Sequence, residues 1–327
     1  MSPSEQRLWT RVTNRANRLQ PDIARAVLRA FANLRAAMSE TEMAALIASG
    51  ALDELVTRVL SDAVLETAFA PVVDRVRWGV NEAARATRRA DMPRSVPPTP
   101  TVGFAFDILS PRVLDAIRVL DTRVMQVLSG AVRETVREAV TAGLTAGIGP
   151  RAIARGIRDV VGLAPNQAEW VRNFERALRE GDVARVLGYT LRDARRDATV
   201  RAGNLTADQI STMVDAYRRR MVAFNAETIS RTAALDAQKN GQMLSWQEAV
   251  DKGWVDGDRL MQTWRGVGDD RERDMHVAME GVTVPFGEPF ILPDGQIQMT
   301  PGDTEYGCRC LAFVFLVPAG RMGLLAA

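Results

Sequence analysis

Thiols and imidazoles are almost missing from this chain. Cys308 and Cys310 are its only cysteines and His276 its only histidine, in 327 residues. Two cysteines cannot build a disulfide framework. One histidine excludes an H-E-x-x-H metalloprotease helix. Lysine is nearly absent too, with Lys239 and Lys252 standing against 40 arginines. Aromatic residues make up 6%, and neither an RNP aromatic pair nor zinc-finger spacing occurs, so no dedicated nucleic-acid reader is visible. The longest apolar run, "LAFVFLV" at 311–317, falls far short of the ~20 residues that cross a bilayer as a helix. It reads as a buried strand. The first residues, "MSPSEQRLWTRVTNRANRLQ", are polar and Arg-rich, which argues against a secretory leader and for folding in a reducing cytosol. No G-x-x-x-x-G-K-[ST] loop, no G-x-G-x-x-G after a strand and no G-x-S-x-G elbow is present. No pair of carboxylates sits where its pKa values would be pushed apart.

What remains is an ordinary soluble composition, 46% hydrophobic and 25% charged. The net charge of +2 is unevenly spread. Residues 1–241 carry 35 basic against 27 acidic side chains, and residues 242–327 carry 7 against 13. Arginine forks suit carboxylates and phosphates. The basic part could touch DNA weakly, or its arginines could simply line solvated helix faces.

The apolar pattern is helical through 1–92. Ile23, Val27, Ala30, Phe31 and Leu34 share a face of a helix expected to start at Pro21. Ser39 and Glu42 form a capping box. Gly50 breaks the next segment and Pro71 breaks or kinks the one after. Residues 93–109 are a Pro-rich linker, or an arm laid along a partner. Ser110 caps a long helix that opens on Pro111. Its seam runs through Val113, Ile117, Leu120, Val124, Val127 and Ala131, then drifts to Leu128, Val132, Val136 and Val140. Such a seam serves packing within the chain or against a second copy. Turns fall at Gly149-Pro150 and Gly162-Leu163-Ala164-Pro165. Helix resumes from 186 and stops at Asn240-Gly241. Beyond it, Pro293-Asp294-Gly295 marks a β-hairpin and "CRCLAFVFLV" another strand. The expectation is a mainly α protein with elongated helical N-terminal and central regions (1–92 and 110–241). A small C-terminal α+β domain (242–327) carries the hairpin and the C-R-C strand.

That last domain concentrates the rare ligands. Two thiolates and one imidazole suit zinc, with a carboxylate or water as fourth ligand. Asp270, Asp274, Asp303 and Glu305 are the near candidates. A small domain with a thin core gains stability from such a staple. The competing readings are that Cys308 and Cys310 are core thiols on a strand, or that one of them is a nucleophile activated by His276. A bridge between the two cysteines would strain the backbone.

The same residues resemble the phage Mu F-like head morphogenesis family. Its pattern of Trp, D-R-x-R-x-x-H, Gly, P-G-D and C-R-C falls on Trp264, Asp270, Arg271, Arg273, His276, Gly281, Pro301, Gly302, Asp303, Cys308, Arg309 and Cys310. The family's R-T-E…N-G helix is similar to Arg231, Thr232, Asn240 and Gly241, with Ala233 in place of Glu. The resemblance covers roughly 140–312. It implies a non-enzymatic minor head protein of a tailed double-stranded DNA phage, made in the host cytoplasm and held inside the virion head near the portal. Its implied partners are the portal protein, the major capsid or scaffold protein and packaged DNA, with no membrane. Its implied role is in head assembly and in DNA packaging or delivery. The alternatives are an enzyme, a nuclease or an ADP-ribosyl-transfer domain of the toxin-related kind, and a DNA-binding accessory protein outside the particle.

Overall fold

The computed structural model describes residues 2–93, 111–302 and 307–318, and of 111–123 and Val127 the backbone alone. The expected linker at 93–109 and the Ser110 cap lie almost wholly outside the described residues. The fold is mainly α, with a small antiparallel β region near the C-terminus. Two compact units share the chain. One comprises 1–23, 74–121 and 229–327, and the other 24–73 and 122–228.

The long helices contribute residues to both units. They are α1 (Pro3–Ala37), α4 (Asp62–Ala90), α5 (Pro111–Thr145) and α10 (Ala207–Asp251). Three expected breaks are therefore absent. α1 runs through Pro21, α4 through Pro71, and α10 continues past Asn240-Gly241. Both prolines are exposed, so the carbonyl each leaves without a helical partner faces water and the lost bond is made good there. The buried stripe of α1 continues unbroken across Pro21, from Leu8, Val12 and Leu19 to Ile23, Val27, Phe31 and Leu34. Tertiary burial of that stripe outweighs the single missing hydrogen bond.

The unit of 24–73 and 122–228 is helical. It holds α2 (Glu40–Ala48) and α3 (Leu52–Val59), separated by Gly50 at φ +75° as expected. Ser39 Oγ caps α2 by accepting from the Glu42 amide. α6 (Pro150–Val160) and α7 (Pro165–Glu180) each start on a proline, and the turn between them contains Gly162 at φ +91°. A side chain at Gly162 would enter the Phe31 ring. Leu128, Val132, Val136 and Val140 of α5 are buried. The short α8 (Val183–Gly188) and α9 (Asp197–Ala202) follow, and Phe174 stacks on Tyr217 at 4.3 Å with Tyr189 edge-on to both.

In the other unit, α10 packs on α4 with little clearance. A Cβ at Gly241 would come within 2.6 Å of Ala83 Cβ and collide with the Val80 carbonyl. Gly241 is thus a close-approach residue inside a helix, which explains why it reads as a stop in sequence. Arg88 and Glu248 form a buried ion pair across the same two helices, and Lys252 Nζ lies 2.7 Å from Glu248. Trp254 lies under both cations. β1 (Leu260–Arg265) is central in a three-stranded sheet, between β2 (Thr283–Pro285) and β5 (Leu311–Leu316). β3 (Phe290–Ile291) and β4 (Ile297–Gln298) form the expected hairpin, with Gly295 at φ +84° in its turn. Cys308-Arg309-Cys310 is the irregular lead into β5 rather than part of the strand.

Candidate metal centre

β1 is the element that brings the rare ligands together. Trp264 pairs with Ala312 of β5, so the C-R-C segment lies just beyond that edge. On its other edge Trp264 accepts from the Gly281 amide at 3.0 Å and donates to the Val282 carbonyl at 2.8 Å. Those residues follow the one-turn helix α11 (Asp274–Val277), which carries His276. Gly281 adopts φ +84°, a conformation costly for other residues. The Trp264 indole, fully buried, stands edge-on to the His276 ring at 5.2 Å and to Phe290 at 5.4 Å.

His276, Cys308 and Cys310 are 1%, 5% and 2% exposed. His276 Nδ1 lies 3.5 Å from Cys308 Sγ and 3.7 Å from Cys310 Sγ. The three ligand atoms all lie within 4.8 Å of one another, and the group could hold a metal ion. The cysteines are not bridged to each other. The Cys310 amide donates to Cys308 Sγ at 3.4 Å. Cys310's thiol hydrogen bond to Cys308, the charge of Lys239, that amide and His276 together pull the Cys308 thiol down to about 6, against the opposing effect of burial. Cys310 moves the other way, raised by its bond to Cys308, by burial and by Glu272. One sulfur is set up as a thiolate and its neighbour stays protonated.

Pro301 and Gly302 form the floor. Lys239 Nζ, buried on α10, donates to the Pro301 carbonyl at 2.9 Å. The Gly302 amide donates to the buried Gln298 Oε1 at 2.6 Å. Gly302 has φ +74°, and a side chain there would run into Cys308 Sγ. α10 supplies more than Lys239. Thr232 Oγ1 accepts from the Gly307 amide at 3.2 Å, and Gln242 donates to the Ala312 carbonyl at 3.3 Å. Thr232, Lys239 and Gln242 recur at helical spacing, so one face of the helix holds Gly307, Pro301 and Ala312.

Several sequence expectations shift in detail. Asp270 and Asp274 are exposed and stand apart from the ligand group, while Asp303 and Glu305 lie outside the described residues. The carboxylate beside the sulfurs is Glu272, whose Oε1 accepts from Cys310 Sγ at 3.5 Å and whose Oε2 accepts from the Gly268 amide at 2.8 Å. Arg309 turns outward and forms a bidentate pair with Asp269 at 2.7 and 2.6 Å. Arg271 and Arg273 are exposed, Arg273 at the N-terminus of α11. Arg231 is exposed on α10, and Asn240 donates to the Asp236 carbonyl within that helix. Lys239, Glu272 and Gln298 were not singled out from sequence. Lys239 carried a signal, being one of two lysines among forty arginines. No family model, curated protein or solved structure matches the chain.

Proposed function

We propose that His276, Cys308 and Cys310 hold a structural zinc ion and that the chain is a non-enzymatic minor head protein of a tailed double-stranded DNA phage. One observation carries the metal reading. Zinc at about 2.3 Å from sulfur and about 2.0–2.1 Å from nitrogen in a tetrahedron sets its ligands about 3.5–3.8 Å apart. The imidazole nitrogen lies 3.5 and 3.7 Å from the two sulfurs. Glu272 or water would complete the set. Bound there, zinc would supply a cross-link between α11 and the lead into β5, in a region with few long elements. Burial of all three ligands supports a closed structural site over an open catalytic one. The same burial weighs against Cys308 as a nucleophile, since a substrate could not reach it.

The head-protein reading is supported by how the motif residues are used. Trp264, His276, Gly281, Pro301, Gly302, Cys308 and Cys310 are spread over 47 positions, yet they converge on one small structure with a physical task for each. The portal is the proposed partner inside the head, with capsid or scaffold protein and packaged DNA as further contacts. Two measurements test this. Elemental analysis of the full chain purified in chelator-free buffer is expected to return about one zinc per chain, and a ratio near zero removes the metal. Mass spectrometry of purified particles, with a portal pull-down, is expected to find the chain in the head. Its absence from particles ends the head-protein reading. His276→Ala is expected to impair assembly, whereas loss of a nucleic-acid or nucleotide turnover would favour an enzyme.

A further inference from the structure

A second site is built into the helical unit, away from the cysteines in sequence and in chemistry. A cavity of about 400 Å³ opens between α10 and the turn that precedes α9. Its charged and polar lining is Asp193, Arg195, Arg196, Thr212, Arg219 and Arg220. Four guanidiniums thus face one carboxylate. On α10, Thr212, Ala216, Arg219 and Ala223 recur at helical spacing and share one wall, and the two alanines leave room beneath the arginines.

The opposite wall is fixed before any ligand arrives. Arg192 grips Asp197 at 2.9 and 2.8 Å and also donates to the Tyr189 carbonyl. Arg220 donates to the Leu191 carbonyl at 3.3 Å. Asp193 accepts from Arg195 at 2.9 Å and lies 3.1 Å from Arg220. This one carboxylate holds two guanidiniums in place. Among the described residues, Arg196 and Arg219 have no carboxylate within ion-pair distance, and both are exposed at the cavity. The preceding arginine on the helix, Arg218, is by contrast paired with Asp159 and Asp215. Two pinned and two unpaired forks around an open cavity favour a tetrahedral oxyanion, which takes several bidentate N–H donors at once.

We infer that this cavity binds phosphate groups, supplied by the backbone of a nucleic acid or by free phosphate. Four guanidiniums offer more donors than one isolated phosphate accepts, which favours the polymer. Contacts of this kind position a backbone without reading sequence. The inference rests on the cavity alone, and a DNA titration requires no portal, so it stands or fails apart from the head-protein reading.

The test uses the full chain. Duplex DNA binding is followed by fluorescence anisotropy over a salt series. R196Q/R219Q is compared with R172Q/R176Q, which removes the same charge from exposed positions on α7 outside the cavity. The expected result is at least a tenfold loss of affinity at low salt for R196Q/R219Q. The slope of log affinity against log salt should shrink by about two, since each phosphate contact contributes about 0.9. R172Q/R176Q should keep the slope. A separate arm measures Tm in inorganic phosphate against chloride at matched ionic strength. A rise in the parent that R196Q/R219Q lacks, without DNA binding, assigns the site to free phosphate. Equal losses in both double variants, or no response to either probe, would overturn the inference. Displacement of DNA by poly-glutamate at equal charge would do the same, by making the site one for carboxylates.

Discussion

Gly302 shows how little freedom single residues have at the candidate metal centre. It needs a positive φ and has no room for a side chain because the Cys308 sulfur occupies that space. Gly302→Ala is expected to cost about 1–3 kcal/mol from strain and overpacking. Zinc affinity, measured by competition with a chromophoric chelator, should fall at least tenfold, and unchanged affinity would show that the turn yields. Lys239 acts on the same sulfur by charge. In Lys239→Met the Cys308 thiol should titrate higher, which ultraviolet thiolate absorbance of the metal-free protein can follow. The sign of the pH dependence follows from the downward shift. A thiol at about 6 when folded and about 8.5 when unfolded contributes stability that is fully present above the unfolded value. That contribution is lost as pH falls toward 6. Denaturation midpoints of the metal-free parent should therefore rise between about pH 6 and 8, below the range where the raised Cys310 thiol opposes the trend, and rise less in Lys239→Met.

At the scale of elements, α10 is the spine of the unit that holds the candidate metal centre. Its fixed faces make two substitutions informative. In an unconstrained helix Gly→Ala would gain about 1 kcal/mol of propensity. At Gly241 the added carbon meets Ala83 and the Val80 carbonyl, and overpacking of about 1–3 kcal/mol is expected to win. A lowered urea midpoint for Gly241→Ala is the check. Arg88→Ala would leave Glu248 buried, with the partly exposed Lys252 as its remaining partner. A loss of about 3–5 kcal/mol is expected, and the double change Arg88→Met/Glu248→Leu should recover much of it.

These elements also mark what could be read from sequence. The apolar stripes, Gly50, the proline starts of α5, α6 and α7 and the Asp294-Gly295 hairpin are local signals, and each was legible. The convergence of His276 with Cys308 and Cys310 was legible as well, because the ligands are so rare. Gly241 and Pro21 misled because their roles depend on which helix face meets a neighbour, and no local pattern carries that. Glu272 was hidden among Asp270, Asp274 and other acids of equal standing until the backbone around Gly266 and Gly268 selected it.

At the scale of the whole molecule, stability should be uneven. Removing the proposed zinc with a chelator is expected to loosen 266–281, 299–302 and 307–310 while leaving the helical content nearly intact. Far-ultraviolet circular dichroism should change little, while Cys308 and Cys310 become reactive to thiol reagents. Simultaneous loss of helical signal would mean that the metal supports far more of the fold than its own neighbourhood. The unit that contains the candidate site is assembled from residues far apart in the chain. Leu8 and Val12 pack with Leu311, and Arg265 grips Glu5 at 2.7–2.9 Å. A ribosome releases those partners about three hundred positions apart. The first helix must therefore wait, with part of its greasy stripe uncovered, until Leu311 has left the ribosome. Termination anywhere before Leu311 would strand it, so such shortened products should be substrates for chaperones and proteases rather than dominant competitors of the folded protein.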